Sequence, residues 1–224
     1  EMKNTSLKFY DQLLKLHLFQ GVGRSDLARL VGHSKIGFES VEEDETIAHS
    51  GDNYEKMLFL TSGKAKVTVS AFDNSYSITE TVSAPYTILP ERIFGLSQSF
   101  PRTFVALTKC NILTMSKEEI LKLTDDILIF RINLLNTYTT MVQKKDNELW
   151  KMQPQSLEKR IANWMLSRCL RPAGEKEVKI KMETLAQELN DSRLDISTAL
   201  NSMQKAGLLT LSRGKIFIPH AEKL

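Results

Sequence analysis

The chain has 224 residues, 42% of them hydrophobic and 25% charged, with a formal net charge of +3. At about 100–200 residues per domain, this allows one large or two modest globular domains with enough apolar residues for a core. No run of about 18 apolar residues occurs, so no transmembrane helix is expected. Charges run through EMKNTSLKFYDQLLKLHLF with no small-residue cleavage site, which argues against a secretory signal.

In chain order, residues 5–31 read as helical, with Leu13, Leu14, Leu16, Leu18 and Phe19 ahead of a Gly21–Gly23 break and Ser25-Asp26 opening a second short helix. From 37 to about 115 the texture alternates apolar and polar residues in short runs such as MLFLTSG, KAKVTVSAF and SYSITETV. These are separated by turn residues at Gly51-Asp52, Ser62-Gly63 and Asp73-Asn74, the pattern of an antiparallel barrel or sandwich. Ser116-x-x-Glu119 is a capping box that returns the chain to helix. The stretch from about 126 to 150 lacks Gly and Pro and repeats Leu128, Leu135, Val142 and Leu149 every seven residues. That spacing keeps one apolar stripe on one face, suited to a partner helix, although Arg131, Tyr138 and Lys145 fall in or beside the seam. The alternative is a helix packed on its own domain.

Pro154 ends that helix, and Ser156 opens another with Leu157, Ile161, Trp164 and Met165 on one face. Pro172-Ala173-Gly174 reads as a loop. Residues 182–207 then hold two helical patterns: METLAQEL, with Leu185, Ala186 and Leu189 inward, and a second helix from near Ser192, with Ile196, Leu200 and Met203 inward. Asn190 tolerates the left-handed backbone that a sharp turn between them needs. Ser192 caps the second helix. This is a helix-turn-helix. The following AGLLTLSRGKIFIPH reads as two strands about a Ser212-Arg213-Gly214 turn, a wing with Arg213 and Lys215 at its tip.

On the second helix Leu194, Ser197, Thr198 and Asn201 point outward and Arg193 flanks them. Arg193 can pair bidentately with guanine, and Leu194 can meet a thymine methyl. Thr184 and the wing cations suit phosphates. Residues 151–224 carry 13 Lys+Arg against 8 Asp+Glu, while 1–150 carry 17 against 19, so the basic surplus lies where a polyanion would bind. Cys110 and Cys169 are far apart in sequence, and His17, His33, His49 and His220 are dispersed, so no metal site is expected. Neither a catalytic triad nor a phosphate-cradling loop occurs, and no enzyme activity is expected.

In order and spacing, LFQGV (18–22), the barrel punctuated by Gly51 and Gly63, FGL…PRTFVALT (94–108), the long helix, KRIANWML (159–166) and LAQELNDSRLDISTALNSMQKAGLL (185–209) resemble the Crp/Fnr family of bacterial transcription regulators. The resemblance spans nearly the whole chain. It implies an α+β fold in three parts: a cyclic-nucleotide-binding-like jelly-roll barrel with flanking helices over 1–125, a dimerisation helix and hinge over 126–153, and a winged helix-turn-helix over 154–224. It further implies a cytoplasmic homodimer that binds double-stranded DNA, answers to a small-molecule effector and has RNA polymerase as a further partner. In cyclic-AMP-binding relatives a Gly-Glu pair takes the ribose and an Arg-Ser or Arg-Thr pair takes the phosphate. Here the corresponding residues are Gly95-Leu96 and Arg102-Thr103. A leucine accepts no hydrogen bond, the intervening segment is shortened, and Lys145-Asp146 stands where the relatives place hydroxyls toward the purine. Cyclic AMP is therefore not the expected effector, and Arg102 can instead hold a surface ion pair. The cysteine cluster of the oxygen-sensing branch is absent, which leaves the cofactor unassigned. A small-molecule-binding or haem- or redox-sensing regulator built on the same barrel is the alternative. In the recognition helix Leu194 and Thr198 replace the family's usual glutamate and second arginine, so the usual half-site is not implied.

Overall fold

A computed structural model describes residues 10–224, so positions 5–9 of the expected first helix lie outside the described residues. The chain folds as two compact units: Glu1–Ala65, Val82–Pro101 and Val105–Lys151 form the first, and Lys66–Thr81, Arg102–Phe104 and Met152–Leu224 form the second.

In the first unit a helical stretch over 10–15 leads to α1 (Arg24–His33). Four strands, β1 (Ile36–Val41), β3 (Lys56–Ser62), β6 (Tyr86–Ile88) and β8 (Cys110–Ser116), make an antiparallel sheet in the order β1-β8-β3-β6. Met57, Leu58, Phe59 and Leu60 of β3 are all buried, which is why this strand reads as an unbroken apolar run rather than an alternation. Phe19 packs against Phe59 of this sheet and Phe130, with ring centroids 5.7 and 5.1 Å apart. Gly63 turns the chain out of β3 with a φ of +94°, and an added Cβ would lie 2.5 Å from the Lys109 carbonyl oxygen. Two helices follow β8. They are α2 (Lys117–Asp126), capped by the Ser116 hydroxyl accepting from the Glu119 N–H, and α3 (Leu128–Trp150).

The second unit holds the winged helix: α4 (Leu157–Leu166), β9 (Lys176–Ile180), α5 (Met182–Leu189), α6 (Arg193–Lys205), β10 (Thr210–Ser212) and β11 (Lys215–Ile218). Its core joins Ile161, Trp164 and Met165 of α4 to Leu185, Ile196, Leu200 and Met203 of the helical pair and Val178, Ile216 and Ile218 of the strands. Each such side chain stabilises the fold by about 1.5–3 kcal/mol through removal from water.

The same unit contains the ribbon formed by β4 (Lys64–Ser70) and β5 (Tyr76–Ser83) over residues 66–81. β5 pairs antiparallel with β9 from Tyr76↔Ile180 to Glu80↔Lys176, giving the strand order β10-β11-β9-β5-β4. Among the described residues the strands form antiparallel sheets that do not close into a barrel, and β5 has β9 as a partner besides β4. Strand β9 is itself unforeseen by the sequence reading, since one of its inward residues is the buried Lys176. The buried Glu80 carboxylate accepts from Lys176 Nζ (3.2 Å), Leu170 N (2.7 Å) and Arg171 N (3.0 Å). A buried charge is tolerated only with such partners.

Candidate nucleic-acid interface

The helical pair is built from local signals. Asn190 sits at φ +50°, ψ +54°, the left-handed conformation that ends α5. Its N–H donates to the Gln187 carbonyl (3.2 Å) and the Asp191 N–H to the Ala186 carbonyl (3.0 Å), the two bonds of a Schellman stop. Ser192 then caps α6, its hydroxyl accepting from the Asp195 N–H at 3.0 Å. Arg160 of α4 clamps this turn from behind, donating to the Leu189 carbonyl (2.6 Å) and pairing with Asp191 (3.2 Å). The sequence reading missed Arg160 in this role. Its partners lie about thirty residues away and carry no local signal.

Helix α6 therefore has two unlike faces. Ile196, Ala199, Leu200 and Met203 are buried, while Arg193, Leu194, Thr198 and Asn201 are exposed and Ser197 is half-buried. Leu194 is 75% exposed, a large apolar side chain with nothing over it in its own unit. Arg193 is paired only loosely, with Glu183 of α5 at 3.3 Å, both side chains largely in water. Thr198 donates to the Leu194 carbonyl (2.9 Å) and Asn201 to the Ser197 carbonyl (2.8 Å), so both polar ends fold back on the helix and would have to rotate to reach a base. Ser192 is exposed at the cap, and Thr184 is half-buried in the first turn of α5, whose N-cap Lys181 makes no side-chain capping bond.

The wing is a hairpin in which Ser212 pairs with Lys215, and Gly214 at φ +71° makes the turn. Arg213 and Lys215 are exposed at its tip, Lys215 lying 3.8 Å from Glu177. Gln204 of α6 accepts from the Leu211 N–H at 2.6 Å and so fixes the wing to the recognition helix. The interface thus offers cations, hydroxyls, an amide and one apolar side chain on rigid elements.

In the first unit α3 buries Phe130 and Leu134, and Asn133 donates to the Leu18 (3.1 Å) and Gln20 (2.9 Å) carbonyls. The heptad residues Leu128, Leu135, Val142 and Leu149 are instead 56%, 57%, 68% and 78% exposed, so the stripe does not pack on its own unit. Beside it lies an open cavity of about 830 Å³, lined by Phe94, Gly95, Tyr138, Met141, Val142 and Leu149 among others. Tyr138 donates to the Pro90 carbonyl at 2.9 Å, and burial pushes its phenol up to about 12. Of the four residues expected at an effector, Gly95 lines this cavity and Leu96 is fully exposed. Arg102 and Thr103 belong to the second unit, where the Arg102 guanidinium lies 3.8 Å from Glu80 and donates to the Arg168 carbonyl at 2.9 Å. Among the described residues no three His, Cys, Asp or Glu side chains are grouped to hold a metal, and no helix is long and apolar enough to cross a membrane.

A cyclic nucleotide-binding domain model matches residues 38–126, and a Crp-like helix-turn-helix domain model matches 159–224. No curated protein matches the chain. Among solved structures, it is similar to the catabolite activator protein of Thermus thermophilus, with 17% identity over 90% of this chain and 93% of that one and a TM-score of 0.53. The sensor domain of the transcriptional regulator DNR from Pseudomonas aeruginosa matches at 16% identity over 68% of this chain and 99% of that one, with a TM-score of 0.55. The c-di-GMP-responsive global regulator CLP of Xanthomonas campestris matches at 15% over 88% and 99%, with a TM-score of 0.50.

Proposed function

As the chain belongs to the Crp/Fnr family of transcription regulators, we propose that it is a cytoplasmic homodimer that reads a near-palindromic DNA site and is governed by an effector other than cyclic AMP. The observation that carries the reading is the outer face of α6. Arg193, Leu194, Thr198 and Asn201 stand clear of their own unit on a helix whose opposite face is fully buried. Such a helix enters the major groove, where Arg193 pairs with guanine O6 and N7 and Leu194 contacts a thymine methyl. Arg213, Lys215 and the first turn of α5 around Thr184 hold phosphates and fix the register.

Two copies join through the α3 stripe of Leu128, Leu135, Val142 and Leu149, which has the period and exposure of a coiled-coil seam. Paired α6 helices then meet half-sites about one helical turn apart. Leu96 beside Gly95 offers no acceptor for a ribose hydroxyl, and Arg102 is already engaged by Glu80 and Arg168. Both observations weigh against a cyclic nucleotide bound in the usual manner. RNA polymerase is the partner that a bound activator of this architecture would meet.

The test is selection of duplexes from a random pool at two salt concentrations by the purified full chain. The reading predicts an enriched near-palindrome whose affinity falls steeply with salt. The absence of enrichment, with and without a panel of small-molecule effectors, would contradict it.

A further inference from the structure

The cavity beside α3 is lined by residues of the first unit alone. Its volume of about 830 Å³ falls in the range of small-molecule sites. The expected phosphate pair is not there, since Arg102 and Thr103 belong to the second unit. The cavity offers instead an apolar wall of Phe94, Met141, Val142 and Leu149, and charges mostly of one sign. Glu91, Asp146 and Glu148 supply three carboxylates against the single ammonium of Lys145. That ammonium is taken up by Glu148, at 3.0 Å.

Glu91 is the carboxylate left over. It sits in the single helical turn Pro90–Arg92, which follows Leu89 in left-handed backbone at φ +45°. Tyr138 ties this turn to α3 through the Pro90 carbonyl. Among the described residues the Glu91 Oε2 atom is enclosed and has no hydrogen-bond partner. The adjacent Arg92 donates elsewhere, to the Ser97 hydroxyl at 3.0 Å. The Glu91 charge is felt across the site, where it adds to burial in raising the Tyr138 phenol. A carboxylate so placed is costly until a donor reaches it, and it repels an entering anion such as a phosphate. Phe94 adds to this preference, since its ring already draws the Lys117 ammonium to 5.3 Å from its centroid.

From these observations we propose that the cavity is a binding site for an organic cation, an amine with an apolar or aromatic body. Its ammonium pairs with Glu91, and its body lies against Phe94, Met141, Val142 and Leu149. Val142 and Leu149 also belong to the exposed stripe of α3, so the competing occupant is the helix of a second copy. A role for the amine as the effector rests on the function proposed above, whereas its binding does not.

The test is calorimetric titration of the full chain, without DNA, by three probes that share one indole body: tryptamine, a cation; tryptophol, neutral; and indole-3-propionate, an anion. Tryptamine is expected to bind about tenfold more tightly than tryptophol, and the anion more weakly than either. Glu91→Gln should bring tryptamine down to about the affinity of tryptophol, and a Tm no lower than that of wild type shows that the variant folds. Magnetisation transfer from the indole protons to the Met141 methyl group fixes the place. Equal binding of the three probes, tighter binding of the anion, or a preference that survives Glu91→Gln would overturn the proposal. So would the absence of saturable binding by any probe, and contact of the Met141 methyl with the α3 of a second copy would then assign the groove to that copy. Because no duplex is present, failure of the DNA reading leaves each of these outcomes legible.

Discussion

Helices α3 and α6 each present a face that nothing in their own unit covers, and the two faces are chemically opposite. Along α3 the uncovered residues are Leu128, Leu135, Val142 and Leu149, a stripe that gains by leaving water. Along α6 they are Arg193, Thr198, Asn201 and a single Leu194, groups that gain by finding hydrogen-bond acceptors, donors and one apolar contact. Exposure alone says only that a face is free. Its composition says what it is free for: a second apolar helix in one case, a polyanion with readable edges in the other.

The α6 face depends first on the core beneath it. Leu200 is fully buried beneath the α6 reading face, and Leu200→Ala should lower the stability of the winged helix by about 2–5 kcal/mol, read from urea titration. A loss under about 1 kcal/mol would mean that the face is not set by this core. The α3 stripe comes next. Val142→Asp with Leu149→Asp should yield a monomer in sedimentation while helix content stays unchanged, because neither side chain is buried in its own unit. A dimer surviving this double change would remove the seam.

Smaller effects sharpen the α6 side. Arg193→Ala should cost about 1–3 kcal/mol of discrimination at one base of the half-site, measured by competition between matched and mismatched duplexes. Equal losses on all sequences would reassign it to phosphate. Lys215→Ala should behave in that second way, weakening all duplexes alike and reducing the slope of log K against log salt by about 0.9 per subunit. The smallest effect concerns Cys169, which belongs to neither face. Burial, aided by the nearby Glu80 charge, raises its thiol from an ordinary 9.0 to about 11. A thiol raised on folding favours the folded state below its unfolded value, so its contribution is intact below pH 9.0 and is lost as the pH rises toward about 11. Alkylation of Cys169 should accordingly be slow at neutral pH, and rapid labelling there would contradict the burial.

What the sequence made legible was local or periodic. Asn190 and Ser192 announce a stop and a cap within three residues of each other, and the structure builds the turn from them. Leu128 to Leu149 at sevenfold spacing announces a stripe that its own unit leaves uncovered. What stayed hidden was long-range and ran against the apolar-inward rule. Lys176 and Glu80 face inward as a pair 96 positions apart, so neither the strand β9 nor its union with β5 follows from alternation. The buried Glu80 also gives Arg102 a partner where the sequence could offer only a phosphate or a surface ion pair.

The central claim is that two α6 helices, joined through α3, read the two halves of one site on the same side of the duplex. The most direct measurement is the Kd for the selected near-palindrome before and after insertion of five base pairs at its centre. The inserted half-turn places the second half-site on the opposite side of the helix. The account predicts that the insertion abolishes two-subunit binding, and that insertion of a full turn, about ten base pairs, perturbs it less. Equal affinity for the original and half-turn duplexes would contradict a dimer that reads both halves at once.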